Sequence, residues 1–276
     1  MKKDKKSIVM YLLLTVIFSA VCQFFAIRAY YAEEISILTI AVSILMWCPA
    51  IAALIICKIY YPKENILGFR LSKKKYILVG IFLPVVEAIA CVAIYIIIYG
   101  SGILISDTMI SLLQSPLTLL FELVLCLITA LGEEIGWRGF LTPKVTNIFG
   151  LKKGTLLIGI IWSLWHYPMM ISGYMRPGGQ APLWLEIILY TIWVIIVTFI
   201  YTYLRLCSKS IWPAVFLHAV CNYLGSFIIS ALVNSEIMSP YLTIDATGFV
   251  DITVTFILAY MLTRIVDHKY LPASWV

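Results

Sequence analysis

The sequence predicts an all-α, polytopic membrane helix bundle of about eight transmembrane helices with both termini cytoplasmic. Composition and block length carry the fold class, and the placement of basic residues carries the orientation. The 276-residue chain is 62% hydrophobic and 12% charged, half the roughly 25% charged residues of a soluble domain. Its apolar residues come in blocks of about 20, the length that a helix rising 1.5 Å per residue needs to cross about 30 Å of hydrocarbon.

The blocks run over 8–29, 36–58, 76–99, 114–134, 155–172, 183–204, 211–232 and 248–266. The first is too long for the 7–15-residue apolar core of a signal peptide, and Val21 is a poor residue before Cys22 for a lipoprotein cleavage site, so 8–29 reads as a retained anchor. Between the second and third blocks lies a basic stretch, "KIYYPKENILGFRLSKKK", suited to the inner membrane surface. The fourth and fifth blocks are the least clean and hold the most ionisable groups. Between them "RGFLTPKVTNIFGLKKG" reads as an amphipathic connector at the interface, with Phe140, Leu141, Val145, Ile148 and Phe149 on its apolar side. "GYMRPGGQAP" is a turn cluster on the outer side. No repeat and no hydrophilic domain interrupts the chain, so 1–276 reads as one integral membrane domain.

With an even number of spans, the N-terminal lysines, Lys58–Lys75, Lys144–Lys153, Arg205, Lys209, Arg264 and Lys269 all fall on one side. Of the other basic residues, Arg28 and Arg176 fall near the opposite side and Arg138 at the inner edge. Positive-inside bias makes the first side cytoplasmic. Glu33, Glu34, Asp107, Glu236 and Asp245 fall outside. Topology and anionic lipid account for the net charge of +6, so nucleic acid is not an expected partner. The seven cysteines form no C-x-x-C pair and read as small hydrophobes.

Charges inside spans are rare and costly, and each marks a functional site by default. Here they are Glu87, Glu122, Glu133, Glu134, Arg138, His166 and His218, joined by Asn222. Glu134 and Arg138 stand four apart and share a helix face, as an ion pair would. Glu133 lies about 100° around the helix, with Trp137 and no cation at its i+4 position. A carboxylate in apolar surroundings suits general acid–base work. His166 lies about 16 Å into its span, too deep for the interface; His218 and Asn222 lie about 10 and 16 Å into theirs, on one face. Hydrogen-bond glue between helices is the plain explanation for His and Asn, but it does not account for a carboxylate, two imidazoles and a carboxamide at similar depth. Glu87 and Glu122 read as structural hydrogen-bonding groups. The third histidine, His268, falls in the polar tail.

This set fits hydrolysis of an acyl bond by activated water. Glu133 would deprotonate the water and His166 hold it, while His218 and Asn222 would donate to the developing oxyanion. No G-x-S-x-G motif supplies a serine nucleophile. Glu133, His166 and His218 would equally serve as zinc ligands with one open position, although H-E-x-x-H is absent. The residues alone leave both versions open.

Three motifs then carry a resemblance. "EEIGWR" matches E-E-x-x-x-R, "WSLWH" resembles F-x-x-x-H with Trp162 in place of Phe as a packing change, and "HAVCN" matches H-x-x-x-N. In this order on successive spans, over about 115–230, the chain resembles the CPBP intramembrane proteases, the CAAX prenyl protease and bacteriocin-processing (Abi) group. The resemblance implies an eight-helix endopeptidase cutting near the cytoplasmic side, with 115–230 as its catalytic core. It implies Glu133 and His166 as the water-activating pair, His218 and Asn222 as the oxyanion site, and Glu134 and Arg138 as the supporting pair. It favours a metal-free glutamate mechanism over zinc.

Members of that group trim prenylated C-terminal tails or serve peptide maturation and bacteriocin immunity. The Ile- and Lys-rich composition points to a bacterial chain, so the expected substrate is a peptide or membrane protein in the cell membrane rather than a prenylated tail. A non-catalytic scaffold or bacteriocin-immunity protein binding a peptide or sensor partner is the alternative. A transporter with Glu87, Glu122 and Glu133 as proton relay would call for inverted repeats, and the sequence has none.

Overall fold

A computed structural model of the protein describes residues 2–100, 115–176, 181–225, 241–242, 246 and 248–265. Asp107, Glu236, Asp245, His268, Lys269 and the end of the 211–232 block lie outside these residues. The described helices are α1 (Lys2–Tyr31), α2 (Ile35–Tyr60), α3 (Lys74–Tyr99), α4 (Pro116–Glu134), a π-helical segment (Ile135–Leu141), α5 (Thr142–Phe149), α6 (Leu151–Ile171), α7 (Leu183–Ser208), α8 (Trp212–Asn222) and α9 (Phe249–Ile265). Six helical stretches are long and apolar enough to cross a membrane: α1, α2, α3, α4 continued through α5 to Phe149, α6 and α7. The protein is a polytopic all-α membrane protein. Neighbour packs on neighbour in the order α1, α2, α4, α8, α3, α9, α7, α6, and α6 returns to α1.

In α1 the usual sidedness of a soluble helix is reversed. Its buried residues are Ser7, Tyr11, Thr15, Ser19, Gln23, Ala26 and Ala29, small or polar groups at helical spacing. Val9, Leu13, Val16, Ile17, Val21, Phe24 and Phe25 point outward. Lipid solvates apolar side chains as well as a protein core does, so helix contacts in a bilayer are made by small and hydrogen-bonding residues. Gln23 Nε2 accordingly donates to the carbonyl of Trp165 (2.9 Å), and Ser19 Oγ accepts from Trp165 Nε1 (2.7 Å).

Two glycines set how closely α4 and the π-helical segment meet α2. A Cβ on Gly132 would lie 2.8 Å from the carbonyl oxygen of Met46, and one on Gly136 would lie 2.4 Å from Pro49 Cβ. No larger residue fits at that approach, and it fixes the height of the intervening Glu133 and Glu134 in the bundle.

One end of the bundle is polar. Asp4 accepts from Tyr61 (2.8 Å) and pairs with Lys144 (2.9 Å), while Lys3 pairs with Glu64 (3.2 Å). The N-terminus, the α2–α3 connection and α5 thus share one face. The end of α1 meets the end of α6 on the other, where Tyr31 donates to the carbonyl of Ser172 (2.9 Å). The connector expected at the interface is helical, and Phe140, Leu141 and Val145 of its apolar side are buried within the protein, leaving Phe149 exposed. All seven cysteines are free thiols.

Candidate active site

At Glu134 the regular α4 backbone widens into the seven-residue π-helical turn Ile135–Leu141. Such turns interrupt the i→i+4 ladder and recur at functional sites. Thr142 Oγ1 donates to the carbonyl of Trp137 at 2.9 Å. Every residue of the turn is buried, so its side chains are held between α2, α6 and α7.

Glu133 and Glu134 enter two separate sets of partners. Glu133 is 2% exposed, and its Oε2 accepts from two indole N–H groups: Trp137 Nε1 at 3.1 Å and Trp162 Nε1 at 2.9 Å. Both donors converge on one oxygen, and Oε1 has no protein partner among the described residues. Glu134 is fully buried, and its Oε1 accepts from Arg138 Nη1 at 3.2 Å and from His218 Nδ1 at 2.9 Å. The Arg138 guanidinium lies between two aromatic faces, its Cζ 3.9 Å from the ring centre of Trp162 and 4.0 Å from that of Tyr201. Cation–π attraction is strongest for a desolvated cation, and the sandwich holds a guanidinium whose side chain has one hydrogen-bonded partner among the described residues.

Both imidazoles are oriented through Nδ1. His166 Nδ1 lies 2.8 Å from the carbonyl of Trp162; a carbonyl only accepts, so Nδ1 carries the proton and the neutral ring keeps a lone pair on Nε2. His218 Nδ1 donates to Glu134 in the same way, which leaves its Nε2 for a ligand. The Trp162 ring centre is 5.8 Å from each imidazole. Asn222, half-buried, ends α8 one turn beyond His218, and its carboxamide has no hydrogen-bond partner among the described residues. The structure thus gathers Glu133, Glu134, Arg138, His166 and His218 around one tryptophan, with Asn222 a turn away.

Glu87 stands apart from this group. It accepts from Thr255 Oγ1, which in turn accepts from Trp193 Nε1 at 3.1 Å, so it ties α3 to α9 and α7. Glu122 is half-buried three turns before Glu133.

Sequence reasoning passed over three aromatic residues of the centre. In the sequence Trp137 stands only as the neighbour of Glu133 that is not a cation and Trp162 as a change of packing, while Tyr201 carries no signal. Trp162 does pack, but its indole N–H is also a donor to Glu133, which phenylalanine cannot supply. Hydrogen bonds to charged groups contribute about 1.5–3 kcal/mol. Trp162→Phe, which keeps an aromatic face over Arg138, is therefore expected to lower kcat about 10- to 100-fold. The expected KM is that of wild type and the thermal midpoint falls with the lost hydrogen bond, checked by steady-state kinetics and scanning fluorimetry.

A zinc ion held by Glu133, His166 and His218 does not fit this arrangement. Among the described residues no three His, Cys, Asp or Glu side chains are placed to share an ion.

Comparison with known proteins agrees with the motif order. Residues 115–224 match the family described as type II CAAX prenyl endopeptidase Rce1-like. A protein of Methanococcus maripaludis named CAAX prenyl protease 2 is 44% identical over 48 residues. That alignment spans 17% of this chain and 18% of the relative's length. The matched segment contains every residue of the centre from Glu133 to Asn222. Over residues 115–224 the chain is thus similar to the Rce1-like, CAAX-protease-like family.

Proposed function

We propose that the protein is an intramembrane endopeptidase that hydrolyses a peptide bond of a membrane-associated peptide or protein by Glu- and His-activated water, without a metal. One observation carries this reading: two indole N–H groups hold Oε2 of Glu133, leaving its other oxygen to take a proton from water in a buried centre. His166 Nε2 is the second group to hold that water. The water oxygen attacks the scissile carbonyl, its proton passes to Glu133, and negative charge develops on the carbonyl oxygen. His218, held through Nδ1–H by Glu134 and protonated on Nε2 as the imidazolium, and Asn222 donate to that oxygen, and preorganised donors of this kind contribute most of the rate enhancement in many hydrolases. Proton return from Glu133 to the leaving nitrogen completes the reaction.

In this reading 1–276 is a single membrane domain with 115–230 as its catalytic core. It crosses the cell membrane eight times, with α8 and α9 belonging to the seventh and eighth spans, and both termini are cytoplasmic. The grouping of the N-terminus, the α2–α3 connection and α5 on one polar face supports that topology. The family description and the relative's name make a prenylated C-terminal tail one substrate to test beside unmodified membrane peptides.

The test is reconstitution in proteoliposomes with prenylated and unprenylated peptide libraries, read by mass spectrometry. Cleavage at defined bonds, unchanged by 1,10-phenanthroline, is the expected result. Cleavage abolished by chelator and restored by zinc would contradict the metal-free step. Binding of peptides by the folded protein without cleavage would favour a scaffold.

A further inference from the structure

A second buried cation lies behind the catalytic turn, on the other side of its backbone. Arg205, in the last turn of α7, is 6% exposed. Its Nε donates to the carbonyl of Arg138 at 2.9 Å and its Nη2 to the carbonyl of Ile66 at 3.1 Å. These partners are dipoles, and no carboxylate among the described residues pairs with it. Gly68 yields the space for the guanidinium, since a Cβ there would lie 2.7 Å from Nη2, and its φ of +78° suits glycine.

Beside Arg205 opens a cavity of about 330 Å³ lined by Asn65, Ile66, Gly68, Arg70, Arg205 and Lys209. Three of the six are cations and none is acidic. The backbone holds the two connections together: Ile211 N–H donates to the carbonyl of Gly68 (3.0 Å), Ser210 Oγ to that of Arg70 (2.7 Å), and Arg70 Nε to that of Lys209 (3.0 Å). Lys209 adopts a left-handed φ of +55° in this link. Like charges gathered by a fixed backbone, one of them buried without a counter-ion, are costly unless an anion occupies the space.

We propose that this cavity binds an anionic phosphate group, presented as the headgroup of an acidic phospholipid. Guanidinium groups pair with phosphate oxygens through parallel charge-assisted hydrogen bonds. Two features favour a lipid over a dissolved phosphate. Arg205 stands three residues before the end of α7, about 4.5 Å along its axis, which is headgroup depth for a spanning helix. On the α2–α3 connection that forms the cavity wall, Phe69 and Leu71 are 40% and 90% exposed, and apolar side chains flanking a basic loop are stable where they can enter the acyl region. The site does not rest on the proteolytic reading.

The test uses the full-length protein in an uncharged detergent and native mass spectrometry, titrating phosphatidylglycerol, phosphatidylcholine or inorganic phosphate. Phosphatidylglycerol is expected to bind at least about tenfold tighter than phosphatidylcholine. The double variant Arg70→Gln/Lys209→Gln should weaken it about ten- to thirtyfold. Lys58→Gln/Lys63→Gln, which removes equal charge from the last turn of α2 and the adjoining connection, outside the cavity, should leave it unchanged. Inorganic phosphate binding as tightly as phosphatidylglycerol would overturn the lipid assignment in favour of a soluble phosphate. Equal affinity for both lipids, or an equal loss in the control variant, would overturn the site.

Discussion

Glu133→Gln is expected to fold, insert and unfold at the wild-type temperature while losing about 10²- to 10⁴-fold in cleavage rate. Glutamine has the shape of glutamate, and its carbonyl oxygen still accepts from the indole N–H groups of Trp137 and Trp162. No cation pairs with Glu133 in the described structure, so neutralising it leaves no buried partner charge exposed to a low dielectric. What disappears is the ability to take a proton from water. The measurement is a pair: initial rate on a reconstituted substrate, and thermal midpoint in the same detergent. A rate unchanged by Glu133→Gln would remove Glu133 from the chemistry.

Arg138→Ala is expected to behave in the opposite way, failing first in stability. The Glu134–Arg138 pair is wholly buried, and deleting one member of such a pair costs about 3–5 kcal/mol because the other charge is stranded. Here the loss is compounded, since Trp162 and Tyr201 would face an empty slot where the guanidinium sat. Arg138→Lys should rescue little: an ammonium lacks the planar surface that two rings enclose. Glu134→Gln should lower stability less and activity as well, because Glu134 also orients His218. Denaturant or thermal unfolding of the three variants separates these outcomes from the stable, inactive Glu133→Gln.

The contrast between adjacent carboxylates was legible in the sequence, and the reason is local. Glu134 and Arg138 are four apart on one helix, and Glu133 has Trp137 at that spacing. Helical geometry dictates both relations before any tertiary contact forms. Six of the apolar blocks were legible because a bilayer requires long uninterrupted runs.

What the sequence withheld depends on packing between distant segments. Trp162 reaches Glu133 across 29 residues and His218 reaches Glu134 across 84, and the height of each helix is set by close approaches such as Gly136 on Pro49. Widening of the backbone at Ile135–Leu141 likewise has no periodic signature, although the glycines at 136 and 139 mark the place. The connector after Arg138 was read as interfacial because its apolar side is well formed. Amphipathicity reports that a face is covered, and here protein covers Phe140, Leu141 and Val145 while Phe149 stays exposed.

The most direct measurement of the central claim is quantitative peptidomics of membranes from a bacterial host expressing the wild-type protein or Glu133→Gln at equal levels. The account predicts a small set of peptides ending or beginning at defined bonds that appear with the wild type and vanish with the variant. Identical peptide profiles, with both proteins folded and inserted, would contradict proteolysis by a Glu133-activated water and leave the buried centre as a structural one.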